Sequence, residues 1–442
     1  MDMFRISLDY LAGWKTKKNR MPLLIRGARQ VGKTWIVREH GRSYANFVEI
    51  NLESHPEYIS VFREAYGKPR ELLNAISLLS GKKLEAGGTL LFIDEIQECK
   101  EALLSLRYLK ENLGEQHVIA AGSLLEFTFK ELSYPVGRIE FFHLFPMNFE
   151  EFLLASNRQE LIHAIVSSSR NQPLLEAVHE KLLGEAALYC LIGGMPEAVK
   201  AYVDSGDLQN CQNIQQILAA NFRDDFYKYA SKANVEHLRV VFQGAPRLLG
   251  QKFKYSNVDA NIKSRELSSA LVLLEQAGLI FRVHHTSANG LPLASQIDPK
   301  KFKVFCLDIG LCYRLLWLNL SQLFLERREL LANRGAVAEQ FVAQELISFT
   351  PPNQNPQLYY WHRETRSSQA EIDLLTEYQN DVLPIEVKSS GGGGLKSLRL
   401  FLAEKEKYVR MGVKVSTDNF GVKGDVISLP AYGLMRLRHL CL

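Results

Sequence analysis

The chain of 442 residues has no apolar run approaching the ~18 residues a membrane-spanning helix needs, so no membrane partner is expected. Its first twenty residues lack a basic stretch followed by an apolar core, and Asp2 and Asp9 sit among them, which argues against a signal peptide. Cysteine is scarce: the six, at positions 99, 190, 211, 306, 312 and 441, form no CxxC pair. That excludes a zinc ribbon and a disulfide framework and predicts reduced thiols in a soluble cytoplasmic protein. A strong charge of one sign is also missing. Lys plus Arg is 53 and Asp plus Glu is 49, a net +4, so bulk charge does not establish a nucleic-acid partner.

What is present is ordinary globular composition, 46% hydrophobic and 23% charged, which excludes a mainly disordered chain, a collagen and a coiled-coil rod. At roughly 150 residues per domain the length predicts about three domains. Charge is uneven along the chain. Residues 5–42 hold ten basic and two acidic side chains, and residues 223–303 hold thirteen and seven. Either stretch is a solvated face or a polyanion contact.

Pro22-Leu23-Leu24-Ile25-Arg26 is a short apolar run that predicts a buried strand. Gly27-Ala28-Arg29-Gln30-Val31-Gly32-Lys33-Thr34 follows, and Trp35-Ile36-Val37-Arg38 continues with helical character. GxxxxGK[ST] between a strand and a helix is the P-loop context. Gly27 and Gly32 permit the backbone angles that curl N–H groups around phosphate oxygens. The helix that begins near Gly32 aims its positive end at the same anion. Lys33 is expected on the β- and γ-phosphates, and the Thr34 hydroxyl on Mg²⁺.

Thr89-Leu90-Leu91-Phe92-Ile93-Asp94-Glu95 predicts a central parallel strand with two carboxylates at its C-terminal edge, where open α/β sheets bind ligands. Asp94 is expected to hold Mg²⁺ through water and Glu95 to act as general base on the attacking water. Val118 to Ser123 is a further strand ending in a small polar residue. At Ser123 a hydrogen bond to the lytic water or γ-phosphate and a plain helix N-cap have the same signature. Arg138, in Pro135-Val136-Gly137-Arg138, is either a charge stabiliser for a neighbouring subunit's γ-phosphate or a structural ion pair.

Together the P-loop, Leu90-Leu91-Phe92-Ile93-Asp94-Glu95-Ile96-Gln97, Ala121-Gly122-Ser123 and Val136-Gly137-Arg138 resemble AAA-type ATPases. More narrowly, the chain resembles a prokaryotic family of AAA ATPases with a C-terminal region of its own. That resemblance extends through Phe145-Pro146-Met147, Phe149-Glu150-Glu151-Phe152 and Gly193-Gly194-Met195-Pro196-Glu197-Ala198. It implies ATP and Mg²⁺ as ligands, hydrolysis as the activity and a homo-oligomer as the assembly. No second sensor arginine can be assigned.

Residues 150–220 carry helical spacing and predict a lid. Residues 236–249, 256–261 and 264–277 predict three helices, and Leu279–Val283 with Lys303–Cys306 a strand pair. That order suggests a winged helix-turn-helix, which serves either DNA binding or protein packing. As a DNA module it would present Lys263, Arg265, Ser268 and Ser269 to bases, and Lys252, Lys254 and Arg282 to phosphates.

Gly335 to Leu346 predicts an amphipathic helix. Strands follow at Leu358–Trp361, Ala370–Leu375 and Leu383–Lys388, then a glycine loop at 391–394 and a helix near 395–409. This order resembles the PD-(D/E)xK nuclease superfamily. The resemblance assigns Asp373 and Glu386 to Mg²⁺, Lys388 to the attacking water and Glu339 to an additional acid. Glu386 and Lys388, two apart on a strand, share one face. Arg363, Arg366, Lys396 and Arg399 are candidates for a backbone contact.

The expected fold is α/β, in three parts: a P-loop AAA-type ATPase domain at 1–150, a helical lid with winged helix-turn-helix at 151–325, and a restriction-endonuclease-like α/β domain at 326–442. One functional reading is an ATPase with a nuclease-like domain acting on DNA. The other is a nucleotide-dependent switch or protein-interaction module whose nuclease-like domain does not cut.

Overall fold

The computed structural model describes residues 4–123, 125, 137–169, 171–229, 234–316, 335–363, 370–388 and 395–439. Pro135, Val136, Arg366, the glycines 391–394 and Cys441 lie outside the described residues. Two compact units result. One comprises residues 5–145 with 351–355, and the other contains residues 146–350 and 356–442.

The first unit is built on a five-stranded sheet of β1 (Leu23–Arg26), β2 (Asn46–Asn51), β3 (Thr89–Asp94), β4 (His117–Ala121) and β5 (Glu140–His143). Their order is β2-β3-β4-β1-β5, and every pairing is parallel. Parallel sheets need both faces covered, so their central strands are apolar throughout. Every residue of β3 and β4 is buried. Helices Glu57–Glu64, Pro69–Ser80 and Lys100–Asn112 contribute Phe62, Ile76, Leu103 and Leu106 to one core with Leu91 and Ile93 of β3. The strand order sets β1 between β4 and β5, with β3 beyond β4. The C-terminal ends of β1 and β3, which carry the P-loop and Asp94, therefore lie on one sheet edge.

The second unit contains an eight-stranded mixed sheet, ordered β12-β13-β11-β10-β9-β8-β6-β7. Its strands are β6 (Ile280–Thr286), β7 (Ile297–Cys306), β8 (Tyr359–His362), β9 (Glu371–Tyr378), β10 (Asp381–Val387), β11 (Gly412–Ser416), β12 (Gly421–Lys423) and β13 (Val426–Pro430). Helices Val235–Gly244, Tyr255–Val258 and Ser264–Gln276 precede the β6–β7 hairpin. β6 then pairs in parallel with β8 through His284↔Tyr359 and His285↔Tyr360. The hairpin of the middle region is thus part of the C-terminal sheet, and the expected boundary at 325/326 falls between strands of one sheet.

The helix Gly335–Ser348 departs from the amphipathic expectation. Glu339, Gln340, Gln344 and Glu345 are all buried along with Phe341 and Val342. Burial is tolerated because each polar group has a partner. Gln340 bonds both the N–H and the carbonyl of Cys306 at 2.9 Å. Gln344 accepts from Ile309 N at 2.8 Å and donates to the Tyr189 hydroxyl at 2.9 Å, while Glu345 accepts from Phe149 N at 2.9 Å.

Gly193-Gly194 owes its composition to close packing. A Cβ on Gly194 would stand 2.0 Å from the carbonyl oxygen of Met147, and one on Gly193 would stand 2.2 Å from Asp308 Oδ1. Asp308 in turn accepts from Gly194 N at 2.5 Å. No side chain larger than hydrogen fits against those contacts.

Candidate functional site

The P-loop joins β1 to the helix Lys33–Gly41. Gly27 has φ +144°, and a Cβ there would lie 2.3 Å from the Leu144 carbonyl oxygen. Gly32 has φ +95°, and Gln30 also holds a positive φ of +63°. A non-glycine residue in that region stores strain, and such strain concentrates at functional loops. Ala28 and Val31 are buried, so the apolar side of the loop anchors it in the sheet. Lys33 is buried, and its Nζ donates to the carbonyls of Ala28 at 2.8 Å and Gly27 at 3.0 Å. Burial pulls its pKa down to about 8, against the opposing pull of Glu95 and Asp94. Desolvation makes the ammonium costly until an anion faces it.

Thr34 Oγ donates to Asp94 Oδ2 at 2.9 Å. The residues present suit Mg²⁺, an ion that prefers oxygen ligands and keeps several waters: the Thr34 hydroxyl would bond it directly and Asp94 would hold it through water. Burial pushes the Asp94 carboxyl above its usual range, and the Thr34 hydrogen bond opposes that. Glu95 follows in left-handed backbone at φ +52°, and its N–H donates to Asp94 Oδ1 at 3.1 Å. Its Oε2 accepts from Gln97 Nε2 at 2.5 Å. Sequence reasoning gave Gln97 no role. Its signal was position, two residues after the Asp-Glu pair.

Ser123 is buried at the end of β4, where its hydroxyl accepts from Arg29 Nε at 3.4 Å. The P-loop and that strand end are thereby linked. Arg138 is half-exposed, and its Nε pairs with Glu111 Oε1 at 3.0 Å. The ion-pair alternative for Arg138 is the one its contacts within the chain display.

In the second unit Asp373 on β9, Glu386 on β10, Lys388 just beyond it and Glu339 on the helix Gly335–Ser348 come together. Val387 N donates to Asp373 Oδ2 at 2.8 Å, and Lys388 Nζ bonds Glu386 Oε1 at 2.5 Å. Glu386 Oε2 is buried and has no hydrogen-bond partner among the described residues. Glu339 is buried as well. Burial lifts the carboxyls of Glu339 and Glu386 to about 7 and raises that of Asp373. The centre of the group is a residue that sequence reasoning placed only in a return strand. Lys303, on β7, has no exposed surface, and its Nζ lies 2.7 Å from Glu339 Oε1, 2.7 Å from Glu371 Oε1 and 3.9 Å from Asp373 Oδ1. Burial opposes its charge, yet Glu339, Asp373 and Glu371 outweigh burial and hold its pKa above the ordinary lysine value. Its signal was a lysine inside the apolar run Phe302–Cys306. Among the described residues, no group of three or more His, Cys, Asp or Glu side chains is placed to hold a metal ion.

The winged-helix candidates are divided. Lys254, Lys263, Arg265 and Ser269 are exposed, and Ser268 is half-buried. Arg282 is tied to Glu275, and Lys252 Nζ stands 3.7 Å from Glu371 Oε2. Of the C-terminal candidates, Arg363 pairs with Glu404, while Lys396 and Arg399 are exposed. The five described cysteines are free and buried. No described helix is long and apolar enough to cross a membrane.

Comparison with known proteins divides the chain in three. Residues 184–322 match a domain of unknown function (DUF8612), and residues 334–432 match another (DUF4143). A search of curated proteins found no match. Among solved structures, the Walker-type ATPase PABY2304 of Pyrococcus abyssi is 15% identical, with 71% of this chain and 96% of that one covered and a TM-score of 0.45. A single-residue variant of RuvB from Thermotoga maritima is also 15% identical, covering 63% of this chain and 86% of that one, with a TM-score of 0.29. Residues 19–153 match the family described as an AAA domain. With the P-loop between β1 and its helix, and Asp94-Glu95 at the end of β3, this part of the chain is an AAA-type P-loop ATPase domain.

Proposed function

We propose that the protein binds ATP with Mg²⁺ and hydrolyses it at the edge of the first unit's sheet. The observation that carries this reading is the meeting of Thr34 and Asp94 at 2.9 Å beside the Gly27–Gly32 loop. Backbone N–H groups of residues 27–34, including Ala28, Arg29, Gln30 and Val31, cradle the phosphates. Lys33 supplies the cation on the β- and γ-phosphates. Thr34 and Asp94 hold Mg²⁺, Glu95 takes a proton from the attacking water, and Ser123 orients that water or the γ-phosphate. Lys33→Ala should abolish tight ATP binding. Glu95→Gln should bind ATP and fail to turn it over, and normal steady-state turnover in that variant refutes the assignment.

The second unit comprises the lid, the winged-helix region and the nuclease-like region in this reading. Action on DNA would use the exposed Lys254, Lys263 and Arg265 and would appear as DNA-stimulated ATPase activity. The alternative, a nucleotide-dependent switch or protein-interaction module that does not cut, is favoured by one observation, the Lys303 ammonium among Glu339, Glu371 and Asp373. Metal-dependent degradation of plasmid or linear DNA by the wild type, lost in Lys388→Ala, would reverse that preference.

A further inference from the structure

We infer that Lys303 is a built-in counter-ion that occupies the cation position among Glu339, Glu371 and Asp373, so that this pocket takes up neither Mg²⁺ nor Mn²⁺. The inference stands apart from the ATP site, because it concerns only residues of the second unit.

Several acids gathered in a buried pocket repel one another unless a cation stands among them. Here the cation is covalently supplied. The Lys303 ammonium has three N–H donors, and it contacts Glu339 Oε1 and Glu371 Oε1 at 2.7 Å each, with Asp373 Oδ1 at 3.9 Å. Its side chain has no exposed surface, so making room for another cation would mean breaking both short ion pairs inside the fold. A divalent ion bonded to both Glu339 and Asp373 would stand within a few ångströms of that ammonium. Two cations at such a separation in a buried pocket repel strongly.

The remaining donors are largely committed too. Asp373 Oδ2 accepts from Val387 N, and Glu386 Oε1 is paired with Lys388. A divalent metal of this type needs about six oxygens. That leaves Glu386 Oε2, buried and without a hydrogen-bond partner among the described residues, as the one uncommitted oxygen of the Asp373–Glu386 pair. The same ammonium ties β7 to the helix Gly335–Ser348 and to β9, giving the acids a structural use. Replacing it with an uncharged side chain of similar length should leave Glu339, Asp373 and Glu386 without that cation and let them draw in a divalent ion by closing from their present spacing, in which no three acids among the described residues are placed to hold a metal.

The test uses the full-length, nucleotide-free chain in an Asp94→Asn background, which removes the carboxylate expected to hold metal in the first unit. Mn²⁺ binding is read by electron paramagnetic resonance and by calorimetry. The expected result is that Asp94→Asn and Asp94→Asn/Asp373→Asn bind Mn²⁺ alike. Asp94→Asn/Lys303→Met should gain about one ion per chain and a Mn²⁺-dependent rise in melting temperature, both removed by adding Asp373→Asn. One Mn²⁺ bound by Asp94→Asn and lost on adding Asp373→Asn overturns the inference. So does a folded Lys303→Met variant that gains no ion. If Lys303→Met does not fold, the first comparison, which leaves Lys303 in place, decides alone.

Discussion

The side-chain amide of Gln97 donates a 2.5 Å hydrogen bond to Oε2 of Glu95, the carboxylate proposed to activate water. Glu95 sits in left-handed backbone. Gly122 keeps the space, since a Cβ there would come within 2.4 Å of Gln97 Oε1. A hydrogen bond to a charged group is worth about 1.5–3 kcal/mol. Gln97→Ala should therefore lower kcat about tenfold or more while the ATP dissociation constant stays within twofold. Steady-state kinetics with an equilibrium nucleotide titration check this. Unchanged kcat would show that Gln97 does not position Glu95.

Arg138 tests whether the site is shared between subunits. Its guanidinium pairs with Glu111 and stays half-exposed, and an exposed pair of this kind holds its partner only weakly. It can therefore be recruited by a neighbour's γ-phosphate. Arg138→Ala should depress hydrolysis more than binding. Mixing Arg138→Ala with Glu95→Gln chains should restore part of the ATPase rate through hybrid sites. A monomer with full activity, by light scattering and ATPase assay, refutes the shared site.

Stability of the second unit should fall as pH rises from about 4.5 to about 8. Burial lifts the Glu345 carboxyl to about 8, opposed by the hydrogen bond from Phe149 N. Glu339 and Glu386 are lifted to about 7 and Asp308 to about 6. At these carboxyls the folded state binds more protons in that window than the unfolded chain, whose Glu titrates near 4.3, while His284, pulled down by burial, acts in the opposite sense. The stability contribution is thus complete below the unfolded pKa and lost as pH rises through the folded values. Glu345→Gln keeps an acceptor for Phe149 N but cannot ionise. Denaturant melts from pH 5 to 9 should show a shallower decline in Glu345→Gln. Equal slopes would remove Glu345 from the account.

Gly194→Ala should destabilise the second unit by roughly 3 kcal/mol, the upper end of overpacking costs, because its Cβ would meet the Met147 carbonyl oxygen at 2.0 Å. A control at Gly184, where an added Cβ meets nothing within 4 Å, should leave the melting temperature unchanged or slightly raised. Equal melting of both variants would mean that the 194 loop relaxes freely.

Short-range information marked the P-loop and three strands of the first unit. The P-loop spacing, the apolar run ending at Asp94-Glu95 and the run to Ser123 are local patterns. A parallel sheet turns each of them into a strand with its candidate residue at one edge, so their order along the chain places the candidates together. Lys33, Thr34 and Asp94 needed no knowledge of distant contacts. The second unit obeys a different logic. Gln340, Gln344 and Glu345 belong to a helix expected to be amphipathic, yet Cys306, Ile309 and Phe149 satisfy them from elsewhere in the chain. Periodicity reports polarity along one helix and carries no record of partners brought from other elements. Asp373, Glu386 and Lys388 could be matched to a pattern by their spacing. The ion among the carboxylates could not, because Lys303 arrives on β7, 36 residues before Glu339. Only the tertiary pairing of β6 with β8 brings the β6–β7 hairpin into the C-terminal sheet, and a buried charge is defined by what surrounds it.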